Sequence, residues 1–377
     1  MINTLTVLRF LAIILIYIHH LDSPVGFGPP AVTFFFILSG FVLALGDQRK
    51  FVELDSLPVR DNFIKRLSKI YPLHLLTFLL SLPVMIITGF QTNIFSVLAN
   101  IFLLQTTINI GIQVFAFNGV SWFIADIVIF YLLTPFILHI FRKNNLLNRT
   151  SSYFFFAITA FAGQILLGQL VGNDTPGYSF GWWLIYISPY ARFLDFFIGL
   201  LFGMIFMRFS EIIKPRLANR LVFTLLEIGS LFLFGWSIFH FVFFRISSLR
   251  MGPYYVPFSL FVILVFAFQT GYISKLFNTR LLVYFGNLSM PIFFIHQVAI
   301  SWTAIFFATP IYGSPANFNQ GASQVILFVV IMCISDVIAR YFVEPAQNIM
   351  TNSMNRIASI WRPMTISGTK KDKQLSD

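Results

Sequence analysis

Charge is scarce in this 377-residue sequence: 10% of residues are Asp, Glu, Lys or Arg, against 57% hydrophobic, and the mean hydropathy is +0.81. A soluble domain carries about 25% charged and about 45–50% apolar residues. So few charges cannot cover a water-facing surface, and a water-soluble globule is excluded. Cysteine is nearly absent. The single Cys333 sits in an apolar run, which rules out a disulfide framework and a cysteine metal cluster. Acids are outnumbered, 14 against 25 Lys plus Arg, for a formal net charge of +11. In a soluble protein that excess would suggest nucleic acid; in a membrane protein it is first a topology signal. A cleavable leader is not expected either. The first apolar stretch has Arg9 inside it and no clear small-residue cleavage site after it, so it reads as a retained span.

What is abundant is apolar length. A spanning helix needs about 20 mainly apolar residues, and ten segments qualify: 5–21, 29–46, 70–89, 120–141, 153–172, 183–207, 221–244, 254–272, 283–306 and 322–343. Residues 94–117 are apolar but broken by Asn100, Gln105, Asn109, Gly111 and Gln113, and read as a re-entrant or interfacial helix, with an eleventh span as the alternative. With the N-terminus in the cytoplasm, 20 of the 25 basic residues fall inside, six of them (Arg49, Lys50, Arg60, Lys65, Arg66, Lys69) in loop 47–69. Only Arg245 and Arg250 fall outside, and Arg9, Arg192 and Arg340 lie within spans. An eleventh span would invert every later loop and destroy this asymmetry. The expected fold is an all-α polytopic membrane bundle of about ten helices with both termini cytoplasmic. Residues 1–346 form one transmembrane domain and 347–377 a basic tail.

An Arg, Lys or Asp at mid-membrane costs about 2.5–3.5 kcal/mol on insertion scales. Arg192 with Asp195 (i,i+3) and Asp336 with Arg340 (i,i+4) can pair locally. Arg9 and Asp126 have no opposite charge within a turn, so they need partners on other helices or a ligand. Arg9 and His20 also share a helix face: eleven residues come to about 20° beyond three full turns, with a rise of about 16.5 Å. An always-charged guanidinium suited to phosphate and a titratable imidazole on one face suit an extended anionic ligand; His19 points elsewhere. Taken singly, His20 also fits an ordinary interfacial histidine.

Three motifs then occur in order: Leu8-Arg9-Phe10-Leu11-Ala12 with His20, Thr33-Phe34-Phe35-Phe36-Ile37-Leu38-Ser39-Gly40-Phe41, and Lys65-Arg66-Leu67-Ser68-Lys69-Ile70-Tyr71-Pro72. Weaker ones follow: Trp122 with Phe130-Tyr131-Leu132-Leu133 and Pro135, Arg192-Phe193-Leu194-Asp195-Phe196 with Gly199, Tyr284-Phe285-Gly286-Asn287-Leu288-Ser289 with His296, and Glu344-Pro345. Together they resemble acyltransferase family 3, integral membrane acyl-CoA-dependent O-acyltransferases, over nearly the whole chain. The sequence departs from the pattern in two places. Where many members have Ser-Val-Glu-Glu after the tryptophan, this chain has Phe123-Ile124-Ala125-Asp126, and Lys69 replaces the second arginine of Arg-x-x-Arg. Some members also end in an extracytoplasmic hydrolase-like domain, whereas here a basic tail follows the tenth span.

The resemblance implies transfer of an acyl group, most often acetyl, from cytoplasmic acyl-CoA to a hydroxyl of an extracytoplasmic or lipid-linked glycan such as O-antigen, capsule or exopolysaccharide. It implies a multi-pass protein of the bacterial inner membrane. On this reading Arg66 and Lys69 hold the phosphates of acetyl-CoA, the donor substrate, and the pantetheine arm passes Arg9. His20 is the general base, and Arg9, Ser39 or Tyr71 donates to the oxyanion. Asp126 orients His20 or pairs with Arg9; Arg192, Asp195, His296 and Glu344 are further candidates. Plain positive-inside topology explains most cations of loop 47–69 equally well, and a satisfied buried histidine is an equal reading of His296. His74, His139 and His240 are too scattered for a metal site, and no metal or nucleic acid is expected. Asn173-Asp174-Thr175 matches a glycosylation acceptor, a pattern common by chance. The main rival is an ion-coupled secondary transporter using the intramembrane Arg, Asp and His residues, although the two halves show no internal similarity. A non-catalytic scaffold would leave the Arg9–His20 register without a reason.

Overall fold

The computed structural model describes residues 2–21, 26–53, 59–171, 178–216, 219–244, 251–308 and 321–360. Among these there is no strand, and helix predominates. In chain order the helices are α1 (Asn3–His19), α2 (Gly28–Glu53), α3 (Val59–Thr88), α4 (Ile94–Ile101), α5 (Ser121–Lys143), α6 (Thr150–Val171) and α7 (Phe180–Trp182). There follow α8 (Pro189–Arg216), α9 (Arg220–Phe244), α10 (Val256–Ala267), α11 (Tyr272–Phe277), α12 (Arg280–Asn287), α13 (Ser289–Ala308), α14 (Gly321–Ile338) and α15 (Glu344–Ile360). The side chains of Arg49, Lys50 and Arg60, together with Asn173-Asp174-Thr175, Arg245, Arg250 and tail residues 361–377, lie outside the described residues.

Eight of these helical stretches are long and apolar enough to cross a membrane. Each of the ten expected segments overlaps either one of them or one of two shorter apolar helices, Asn3–His19 and Pro253–Ala267. The short ones have local causes. α1 stops where the His20 ring folds back on the Ile16 carbonyl at 2.9 Å, and α10 is followed by Gln269 in the left-handed region at φ 55°. Segment 283–306 is also interrupted, α12 giving way to α13 at Leu288.

Residues 94–117 do not form a spanning helix. α4 has eight residues, about 12 Å of rise, and irregular chain with a 3-10 turn at Gly111–Phe115 follows. Backbone of this kind is tolerated at membrane depth only where protein or a cavity surrounds it, and here its carbonyls are claimed by neighbouring helices. The His74 Nε2 donates to the Asn100 carbonyl at 2.9 Å, Trp183 Nε1 to Thr106 at 3.1 Å, and Tyr190 to Thr107 at 3.0 Å. Asn118 Nδ2 donates in turn to the Phe294 carbonyl of α13 at 2.9 Å.

The bundle is built around α2. In its apolar window 78% of residues are buried, against 17% in the last span, so α2 is central and the last span peripheral. α2 meets α8 almost backbone to backbone. A Cβ on Gly40 would collide with the Phe196 carbonyl, one on Gly199 with the Ile37 carbonyl, and one on Gly203 would lie 2.7 Å from the Phe41 carbonyl. Small residues four apart on facing helices give lipid-embedded packing that bulk hydrophobicity cannot, because lipid is as apolar as leucine. Gly199→Leu is therefore expected to abolish the monodisperse folded peak in detergent size-exclusion chromatography. Gly229→Ala on α9, where nothing lies within 4 Å of the new Cβ, should leave that peak intact.

Candidate active site

α1 carries the site and is fixed along its length. Thr4 donates to the Phe266 carbonyl at 2.6 Å and Tyr17 to the Gln324 carbonyl at 2.7 Å. Gly286 lets α12 approach so closely that a Cβ there would sit 2.6 Å from the Thr6 carbonyl. The C-terminal end of α1 opens into a cavity of about 320 Å³. Ile16, His19 and His20 line it from α1, and Gly28 and Val32 from α2. Its remaining wall is largely aromatic: Phe115, Trp122, Phe123, Tyr178, Trp182 and Tyr186, with Phe293 from α13. The rings form a connected surface, Trp182 lying 5.5 Å from Tyr186 and 5.6 Å from Tyr178, and Tyr186 5.5 Å from Trp122. No formally charged Asp, Glu, Lys or Arg side chain lines the cavity.

Both histidines at the end of α1 face this cavity, including His19, which helical projection sends elsewhere. His20 is the C-cap residue of α1, and its ring turns back over the last turn. His19 packs on Gly28 so tightly that a Cβ there would come within 2.6 Å of its Nε2. His296, fully buried on α13, brings its Nε2 to 3.3 Å from His20 Nδ1.

At the other end of α1 the cations gather. Lys69 lies in the electrostatic range of Arg9, Arg66 and Lys65, and Arg9 in that of Tyr131. The Arg66 guanidinium stacks over the Tyr131 ring at 4.6 Å. No ion pair to Arg9 is formed among the described residues. Arg9 and Arg66 are half-buried and Lys65 and Lys69 exposed. The two cation motifs thus meet in space although more than fifty residues separate them in sequence.

The remaining candidates occupy other places. Asp126 is completely buried, with Thr106 and Arg192 nearest in electrostatic terms, and neither carboxyl oxygen has a formed hydrogen bond. It bonds to neither His20 nor Arg9; burial on the inner face of α5 holds it away from both. Arg192 and Asp195 form the expected local pair at 3.0 Å, 2% and 1% exposed. Arg192 also donates to the carbonyls of Tyr186, at 2.8 Å, and Met251, while Gln164 holds Asp195 at 2.7 Å. The pair is a buttress behind the Tyr186 wall, shaped by the π turn Trp183–Ile187. Asp336 and Arg340 pair at 2.8 Å on an exposed face. Ser39 and Tyr71 are half-buried and neither lines the cavity; Glu344 is exposed at the start of α15. Donor groups that do line it belong to His19, Trp122, Trp182 and the two tyrosines. Among the described residues no group of three His, Cys, Asp or Glu side chains is disposed to hold a metal ion.

One intramembrane acid escapes the sequence reading. Glu227, buried on α9, accepts from the backbone N–H groups of Gly271 at 3.1 Å, Ile273 at 3.0 Å and Ser274 at 3.3 Å, and from the Ser274 hydroxyl at 2.5 Å. It caps α11, satisfying the orphan donors of a helix start. An acid in an apolar span with no base within a turn was the available signal.

A bundle of membrane-length apolar helices enclosing a histidine-lined chamber, with a cation cluster at the far end of one helix, describes a multi-pass membrane enzyme. Residues 2–340 match the family model of acyltransferase family 3, described as an acyltransferase domain, and the chain belongs to that family. It is a membrane acyltransferase, a membership that does not favour the carrier reading. Neither the curated proteins nor the solved structures yield a match to the chain.

Proposed function

We propose that the protein transfers a short acyl group, acetyl, from acyl-CoA bound at the cytoplasmic end of α1 to a glycan hydroxyl in the aromatic cavity at the other end. One observation carries the reading: on α1, Arg9, which meets the α3 cations Arg66 and Lys69, and a histidine facing a cavity are separated by about 16.5 Å. Arg9, Arg66 and Lys69 fit the phosphates of a CoA headgroup, and the extended arm of CoA bridges the interval. The basic residues of the loops and tail favour a cytoplasmic location for that end.

The protonation of His20 follows from its partners. A carbonyl only accepts, so the Nδ1 that lies 2.9 Å from the Ile16 carbonyl carries the proton. Nε2 is then the free base. It takes the proton of the acceptor hydroxyl as that oxygen attacks the thioester carbon. The C–O bond forms, the C–S bond breaks, and the proton passes from Nε2 to the departing CoA sulfur, leaving ester and free CoA thiol. Donors of the cavity-lining residues, Trp122 and Tyr186 among them, serve the oxyanion. A volume of about 320 Å³, at the small end for ligand sites, suits one sugar ring with an acetyl group better than a long acyl chain. An uncharged aromatic wall suits the C–H face of a sugar. The cell membrane of a glycan-decorated bacterium is the setting in which donor and acceptor lie on opposite sides.

The test uses everted membrane vesicles carrying the protein, supplied with labelled acetyl-CoA. Label is expected in glycan; gradient-driven uptake of a solute with no acyl consumption would establish the carrier instead.

A further inference from the structure

We infer that His296 is the positioning residue of His20: a neutral imidazole acceptor doing the work that a carboxylate does for a catalytic histidine elsewhere. The inference rests on the assignment of His20 as base and adds its partner. His296 Nδ1 lies 3.2 Å from the Ile292 carbonyl one turn earlier in α13, and, since a carbonyl only accepts, that nitrogen carries the His296 proton. Its Nε2 is therefore a lone pair, and it points at His20 Nδ1 at 3.3 Å. The His20 Nδ1 proton is shared between the Ile16 carbonyl and His296. Two backbone carbonyls, on α1 and α13, thus fix both tautomers, and the one nitrogen left bare in the pair is His20 Nε2, on the residue that lines the cavity.

The arrangement is built rather than incidental. His296 is fully buried and does not line the cavity; among the described residues its ring nitrogens bond to His20 and its own helix carbonyl, and its ring lies 5.9 Å from that of Phe293. Asp126, the acid closest to this role by motif position, makes no hydrogen bond to His20. When His20 gains the hydroxyl proton at Nε2 it becomes an imidazolium, and its Nδ1–H bonds to Ile16 and His296 become charge-assisted and stronger. An acceptor in that position stabilises the transition state more than the ground state, so it acts on kcat.

The experiment compares His296→Leu, which removes the acceptor, with His296→Gln, whose side-chain oxygen supplies one, using labelled acetyl-CoA and matched amounts of folded protein. His296→Leu is expected to lower kcat about 10- to 100-fold, the usual cost of losing a supporting partner, with the donor KM changed less than about twofold. His296→Gln should recover most of the loss. Wild-type kcat in His296→Leu, or equal losses in the two variants, would overturn the inference, the second outcome showing a packing role only. His20→Ala is run alongside. If it is inactive while His296→Leu is fully active, only the inference fails; if His20→Ala is itself active, the functional assignment fails and takes the inference with it.

Discussion

His20→Ala is expected to reduce acetyl transfer by about 10²- to 10⁴-fold, the range associated with a general base, while the apparent affinity for acetyl-CoA stays near wild type. The two halves of this expectation have separate causes. Nε2 of His20 is the bare nitrogen at the cavity, so its loss removes the group that accepts the hydroxyl proton. The cations proposed to hold the donor headgroup lie at the opposite end of α1, about three turns away, and Thr4, Tyr17 and the Gly286 contact hold the helix independently of the ring. A fall in kcat and kcat/KM together, with KM steady, is the signature of an interaction made in the transition state. Steady-state kinetics on purified protein, with size-exclusion profiles matched to wild type, reads it directly.

The second large effect is expected at the cation cluster and should have the opposite kinetic form. Arg66→Ala combined with Lys69→Ala should raise the acetyl-CoA KM by about 10²-fold, since each charge-assisted hydrogen bond is worth about 1.5–3 kcal/mol and neighbouring charges do not add fully. kcat at saturating donor should fall much less. The like charges of Arg9, Lys65, Arg66 and Lys69 lie within electrostatic range of one another and repel; a phosphate ligand relieves that repulsion. Lys69→Arg, which restores the forked geometry at that position, should hold KM at or below the wild-type value. Raising salt should mimic the double substitution in the wild type. Equal donor KM in wild type and double variant would remove the headgroup from this end of the bundle.

Much of the fold was legible because the bilayer imposes a coarse rule. Twenty apolar residues in a row can be counted, and each segment found that way overlaps an apolar helix. The places where counting failed are places where side chains decide. α1 ends early because the His20 ring bonds its own helix, and α12 and α13 divide at Leu288 within a single apolar run. Glu227 was hidden by the apolar average of its span, and only the N–H groups of Gly271, Ile273 and Ser274, more than forty residues later, explain why an acid is stable there.

The site was half legible for a related reason. The Arg9–His20 register is local, set by 3.6 residues per turn, and could be calculated. The contact of His20 with His296 across 276 positions and the electrostatic proximity of Arg9 and Lys69 across helices depend on how α1, α3 and α13 pack, which no periodicity encodes. His19, which projection turned away from the shared face, lines the cavity together with His20. Asp126 drew attention as an intramembrane acid with no base within a turn and by its motif position; it is fully buried, with Thr106 and Arg192 among its electrostatic neighbours.

The central claim is that donor and acceptor meet from opposite ends of α1, and sidedness tests it most directly. Labelled acetyl-CoA, which does not cross a sealed bilayer, is supplied either to everted vesicles, whose outer surface is the cytoplasmic face, or to sealed right-side-out vesicles, with glycan acceptor present on the extracytoplasmic face in both. The account predicts label on glycan in the everted preparation and none in the other until the membrane is permeabilised. Transfer in sealed right-side-out vesicles from external donor would contradict it.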